Sequence, residues 1–193
     1  ESFTASNFFS FFGHFDYSIM DKYIIDATVR NDACSRFGKN NKNATFWSAG
    51  FMWKLKNESF IRSAGWIDDL NFKASYGTQG NASIGDYQHL ALLGSYTSEY
   101  AGGPATYIGQ PSNNGLTWEQ QALLTIGVNG RLASMVDFNI EFYNRKTSSM
   151  LMDVPYSYTT GFPTLTSNVG SLANTGLDVT LGVDILRAKD YWF

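Results

Sequence analysis

Few residues in this chain could do chemistry by themselves. His14 and His89 are its only histidines, and neither stands at a spacing that builds a metal site. His14 lies on an aromatic run, where an ordinary packed or polar-face side chain is the simpler account. No G-x-S-x-G elbow nominates a serine nucleophile. Asp68 and Asp69 are adjacent, so on a strand they point to opposite faces and cannot work as an acid–base pair. Glycines at Gly77, Gly80, Gly85, Gly102 and Gly103 fall outside any strand–helix phosphate cradle and mark flexible links. Asn43-Ala44-Thr45, Asn57-Glu58-Ser59 and Asn81-Ala82-Ser83 match glycosylation sequons, triplets that arise often by chance. Cys34 is the single cysteine, so no disulfide closes within the chain. The residues thus nominate no catalytic set, no metal site and no cofactor.

What the sequence does contain is strands. Val136, Phe138, Ile140 and Phe142 alternate with Asp137, Asn139, Glu141 and Tyr143. The same period of two runs through Tyr23–Arg30, Leu70–Gly77, Leu124–Asn129 and Val179–Leu186. Segments 8–19 and 45–55 also read as strands, aromatic on both faces. Several runs reach about 10 residues, the length a tilted strand needs to cross a bilayer. Short links at Met20-Asp21-Lys22, Leu132-Ala133-Ser134 and Arg187-Ala188-Lys189-Asp190 mostly alternate with long polar links at 31–44, 78–116 and 148–174. That alternation is the habit of outer-membrane barrels. The exception is 56–67, where Ser59-Phe60-Ile61-Arg62 predicts one helical turn. All four prolines, Pro104, Pro111, Pro155 and Pro163, sit in the long links, where no ladder N–H is needed. About eight strands are expected.

Composition agrees with this layout. Of 193 residues, 44% are hydrophobic, 16% aromatic and only 16% charged, against about 25% charged in a typical soluble domain. Mean hydropathy is nevertheless −0.21, so the apolar residues are dispersed, as on strands with one apolar and one polar face. No apolar run approaches the roughly 20 residues of a membrane helix. A net charge of −3 and a pI of about 5.3 give no reason to expect nucleic acid as a partner. The N-terminus shows no signal-peptide pattern. Trp47, Trp53, Trp66, Trp118 and Trp192 fall at or near strand ends, which suits a membrane-interface girdle; the plainer alternative is core packing of a soluble β protein. Tyr96, Tyr100 and Tyr107, in a long link, could stack on sugars.

A series of local patterns, in order, resembles the SusC/RagA-type TonB-dependent outer-membrane transporters. They begin with Asp21-Lys22-Tyr23, Ala27-Thr28-Val29-Arg30, Asp32 and Ser35-Arg36-Phe37-Gly38. Thr45-Phe46, Ser48-Ala49-Gly50, Glu58-Ser59-Phe60 and Trp66-Ile67-Asp68-Asp69-Leu70 follow, then Ala74-Ser75-Tyr76-Gly77, Gly80-Asn81 and Ile84-Gly85-Asp86-Tyr87. The last are Leu116-Thr117-Trp118-Glu119, Thr160-Gly161-Phe162, Asn168-Val169-Gly170 and Asn174-Thr175-Gly176. Ala33-Cys34 stands where the family usually has glycine- or serine-type residues, and Trp47 where proline is common.

The resemblance implies an all-β fold: about eight strands of an antiparallel transmembrane barrel of roughly 22 strands, with residues 1–193 a partial barrel domain and the plug domain absent. It implies an outer-membrane active transporter, not an enzyme, in a Gram-negative bacterium. Such a transporter imports glycans or peptides, is energised by TonB through the plug and is lidded by a SusD-like lipoprotein. Asp137, Asn139, Glu141, Tyr143 and Arg145 are expected to line the lumen; Trp47, Trp53, Trp118 and Trp192 are expected at the interface with outer-membrane lipid. Tyr191-Trp192-Phe193 reads as the start of a further strand, so the chain is expected to stop mid-barrel. Alternatives stay open on the residues alone, an enzyme being the third after the two that follow. One is a small complete outer-membrane barrel with a structural or adhesive role, which the terminal aromatic Phe193 suits. The other is a soluble β-sandwich that binds carbohydrate.

Overall fold

A computed structural model describes residues 4–96, 103, 105–185, 187–188 and 191–192. Tyr100, Gly102, Pro104, Leu186, the Lys189-Asp190 link and Phe193 lie outside the described residues. The strands are β1 (Phe8–Ile19), β2 (Tyr23–Cys34), β3 (Asn43–Lys54), β4 (Ile67–Asn81), β5 (Leu92–Ser95), β6 (Thr106–Gln110), β7 (Glu119–Leu132), β8 (Val136–Ser148), β9 (Leu151–Pro155), β10 (Thr164–Asn168), β11 (Ser171–Val183), β12 (Arg187–Ala188) and β13 (Tyr191–Trp192). One helical turn, α1 (Ser59–Arg62), stands where the sequence places it. No helix among the described residues is long and apolar enough to cross a membrane.

Seven strands form a single antiparallel sheet in the order β1-β2-β3-β4-β7-β8-β11. Among the described residues seven strands make up the wall, in keeping with the expected eight or so. Its first and last strands are both edges, so the sheet is open and is not a complete eight-stranded barrel. Nor is it a sandwich, which needs a second sheet packed face to face; among the described residues the remaining strands form two-stranded ribbons, β5–β6, β9–β10 and β12–β13. Two of these ribbons occupy spans that the sequence presents as long links. Their Ser, Thr, Gly and Tyr content carries no period of two.

The wall strands are 12 to 15 residues long, with one register shift in β4 between Ile67 and Asp69. Tight turns join β1 to β2 and β7 to β8. Their central residues, Met20 and Asp21 (φ 52° and 55°) and Ala133 and Ser134 (φ 50° and 56°), are left-handed. This is the primed turn that matches strand twist, made without the usual Asn-Gly. The segment with α1 joins β3 to β4 at the same end. The long connections 35–42, 82–118 and 149–170 all emerge at the other end.

The buried core lies at that long-loop end. Cys34, Phe37, Phe46, Leu116 and Trp118 pack together, with the Trp118 ring 5.1 Å from Phe37 and 5.8 Å from Phe46. Register places Phe46 opposite Arg30, on the polar side of the sheet. The loops therefore fold inward over the polar side and leave the apolar side bare.

Candidate functional site

Strand pairing sorts every wall residue onto one of two faces, because directly paired residues share a side. Asp137, Asn139, Glu141, Tyr143 and Arg145 fall together on one face, as their alternation requires. They pair with Arg131, Asn129, Gly127, Thr125 and Leu123 on β7, and with Gly182, Thr180, Asp178, Gly176 and Asn174 on β11. The rows continue onto β4 through Asp69, Asn71, Lys73 and Ser75.

Several charges of this face are matched locally. Lys73 bonds Glu141 across β7, and Asn139 Nδ2 donates to the same carboxylate at 2.9 Å. The intervening residue is Gly127; a Cβ there would stand 2.9 Å from Glu141 Cγ and 3.2 Å from Lys73 Cε. A glycine is what lets the two side chains meet over the strand. Gly176 similarly lies beneath the Tyr143 ring. Arg131 reaches Asp184 at 2.5 Å and Asp137 at 3.5 Å. Arg145 is exposed. Farther along, His14 Nδ1 lies 2.7 Å from Thr28 Oγ1, and Nε2 lies 2.6 Å from Asp16 Oδ2. That is a hydrogen-bond chain on the polar face. No group of three or more His, Cys, Asp or Glu side chains that could hold a metal ion exists among the described residues.

The opposite face is apolar and uncovered. Leu177, Val179, Leu181 and Val183 of β11 are all exposed, Leu181 at 68%, as are Ile140 and Phe142 beside them. Phe9, Phe11 and Phe15 of β1 continue the surface. Trp47 is exposed on this face, its ring 5.4 Å from Tyr76. Trp53, half-buried, sits beside Tyr23 at 6.0 Å near the short-turn end. Trp118 departs from the expectation of an interface residue. It is 2% exposed, packed in the loop core, and its indole N–H donates to the Lys42 carbonyl at 3.2 Å. Its position just before β7 frees it from the strand alternation and turns it under the loops. Trp192 pairs with Arg187 in the β12–β13 ribbon, and its side chain lies outside the described residues.

The conspicuous sequence patterns meet one another in space as latches. Glu58 accepts from Lys22 Nζ at 2.9 Å, Tyr23 Oη at 2.8 Å and Trp53 Nε1 at 3.2 Å. These donors, Lys22 first, hold its carboxyl below the usual carboxylate range. Arg36 bonds Asp86 at 2.8 Å, and His89 Nδ1 donates to the Arg36 carbonyl at 2.9 Å. Asn168 donates to the carbonyls of Thr117 (2.7 Å) and Ser149 (2.9 Å), and accepts from Thr117 N–H at 2.7 Å. Glu119 accepts from Leu151 N–H at 3.2 Å. The sequence marks these residues as a pattern without showing that they are partners. Glu119 and Leu151 are 32 positions apart, and Thr117 and Asn168 are 51 apart.

The chain matches the family model described as "TonB dependent receptor-like, beta-barrel" over residues 2–193. It is 33% identical to TonB-dependent receptor P26 of Formosa agariphila, covering 94% of this chain and 19% of that protein. It is 31% identical to TonB-dependent receptor SusC of Bacteroides thetaiotaomicron, covering 97% of this chain and 20% of that protein. The solved structure of the RagAB peptide importer in its closed-closed state superposes with a TM-score of 0.88 at 39% identity, over 96% of this chain and 20% of that one. The chain thus spans about a fifth of the length of the relatives it matches.

Proposed function

This chain belongs to the TonB-dependent receptor β-barrel family of the Gram-negative outer membrane, and from that premise we propose that it is a wall section of an active importer of bulky nutrients such as glycans or peptides. The polar face lines the lumen through Asp137, Asn139, Glu141, Tyr143 and Arg145. The apolar face meets lipid, with Trp47 and Trp53 near its borders. The long loops face outward, toward cargo and a SusD-like lipoprotein lid. TonB energises the passage through a plug domain. In this division of labour the wall offers hydrogen-bonding groups to a wet channel and performs no bond chemistry.

One observation carries the reading: the face with paired charges is the polar one, and the face left bare is apolar. Four side chains such as Leu177, Val179, Leu181 and Val183, kept in water, would each forgo about 1.5–3 kcal/mol of burial. A hydrocarbon environment removes that cost, and strands of this length suffice to span it. Import is supported by the 39% identical solved structure, which is of a peptide importer.

Single cysteines in the full-length receptor test the assignment of faces. With the receptor in outer-membrane vesicles, Asn139→Cys is expected to react with a charged, water-soluble maleimide. Leu181→Cys is expected to resist it and to react with a lipid-soluble reagent. The reverse pattern, or equal labelling, would sink the proposal.

A further inference from the structure

Register places one charge on the apolar side of the wall. On β8, Val136, Phe138, Ile140 and Phe142 share that face, and the same alternation carries Asn144, Lys146 and Ser148 onto it. Lys146 is exposed. The next residue, Thr147, is buried on the polar side and accepts from Gln121 Nε2 at 3.3 Å. No other paired position on the apolar face of the seven wall strands holds a charged residue. Lys146 also belongs to no ion pair among the described residues.

The depth of this lysine follows from strand geometry. Val136 opens β8 at the short-turn end, and Lys146 follows ten residues later. Ten steps of about 3.4 Å along a strand tilted by about 40° rise about 26 Å. The apolar band of an outer-membrane barrel is about 25 Å tall, so the ammonium stands at its outer border. The surface changes character at that level. Below lies Phe142 with its partners Ile126 and Leu177; above lies Ser148 with Gln120 and Ser171. Between them Asn144 Nδ2 donates to Thr175 Oγ1 at 2.6 Å. The cross-strand neighbours of Lys146 itself are Ala122 and Ala173, whose methyl groups leave the lysine stem open on both sides.

We infer that Lys146 anchors a phosphate of the glycolipid in the outer leaflet. A lysine at the edge of an apolar surface lays its stem along hydrocarbon and lifts its ammonium to the headgroups. The headgroups on that side are phosphorylated sugars, and an ammonium binds a phosphate oxygen as a point charge. The Asn144–Thr175 pair, Ser148 and Ser171 place uncharged hydrogen-bonding groups beside it. No carboxylate on this face competes for the ammonium or repels the phosphate. A headgroup without net charge would leave the one cation of the surface unmatched. The inference rests on the reading that the apolar face meets lipid.

The test uses the full-length receptor, purified in a nonionic detergent and titrated with lipid A that is either phosphorylated or stripped of its phosphates by a phosphatase. Native mass spectrometry reads how much of each lipid the receptor retains. The phosphorylated form is expected to be held more strongly. Lys146→Met is expected to cut that preference about fivefold, the effect of one cation at an anionic membrane surface, and Lys146→Arg to keep most of it. Lys39→Met, which removes an exposed cation from the connection 35–42, is expected to leave it intact. Heat-modifiable migration of each variant confirms a folded barrel. Equal retention of the two lipids by the unaltered receptor, a preference unchanged in Lys146→Met, or one cut equally by Lys39→Met would overturn the anchor. Failure of the lipid-facing reading looks different: Leu181→Cys would then react with the water-soluble maleimide whatever residue stands at position 146.

Discussion

At the scale of single residues, the polar face works by pairing charge over glycine. Lys73 and Glu141 sit on strands that are not neighbours, with Gly127 between them. Removing one partner, as in Lys73→Met, leaves a partly covered carboxylate without its cation and is expected to destabilise the barrel by about 1 kcal/mol, discounted for its partial exposure. The swap Lys73→Glu with Glu141→Lys should recover most of it. Gly127→Val should cost more than either single change, because the new side chain enters space already held by both partners. The midpoint of heat-induced mobility shift on a gel reads all three; a neutral Gly127→Val would count against the packing argument. Which residues share this face was legible in the sequence, since a period of two fixes it. The bond between Lys73 and Glu141 was not, because the number of strands between them depends on topology. Trp118 was misleading for a related reason. A tryptophan near a strand end looks the same whether it turns outward to lipid or, one position short of the ladder, inward beneath the loops.

At the scale of elements, the turns and loops are held by latches rather than by local propensity. Glu58 ties the α1 segment to β2 and β3 through three donors. Its carboxyl is held below its ordinary range, so the latch stabilises the folded form at neutral pH. That contribution begins to fall as pH drops through the ordinary carboxylate range and is gone below the lowered folded value. Hydrogen exchange over residues 55–66 of the full-length receptor should therefore accelerate on acidification, relative to the expected chemical rate, and Glu58→Gln should flatten the response. An unchanged pH response in Glu58→Gln would assign the effect elsewhere. At the other end, Asn168→Ala removes three hydrogen bonds to backbone groups of two loops. A local loss of about 2–3 kcal/mol is expected, seen as faster proteolysis within 149–170 with the wall strands unaffected. The single helical turn at Ser59–Arg62 was readable from its sequence. The ribbons β5–β6 and β9–β10 were not, because nothing in their composition alternates.

At the scale of the whole molecule, the wall is a surface with two open edges and one bare face. Edge strands with free backbone groups pair with whatever is offered, and membrane interiors tolerate none. Residues 1–193 expressed alone in water are accordingly expected to aggregate. The same segment within the full-length receptor should be recovered from membranes with detergent. Soluble, monodisperse behaviour of the isolated segment, measured by light scattering, would contradict the exposure of β11.

The latches have a consequence for how such a surface changes over generations. Arg36, Asp86, Asn168 and Glu119 fasten the bases of the long loops, together with Asn113, whose side-chain amide donates to the Thr166 carbonyl at 2.8 Å. Insertions, deletions and substitutions between Ser95 and Thr106 leave the fastening residues untouched. Selection can therefore rewrite what this region displays to its surroundings, one tip at a time, while the wall beneath inherits its stability unchanged.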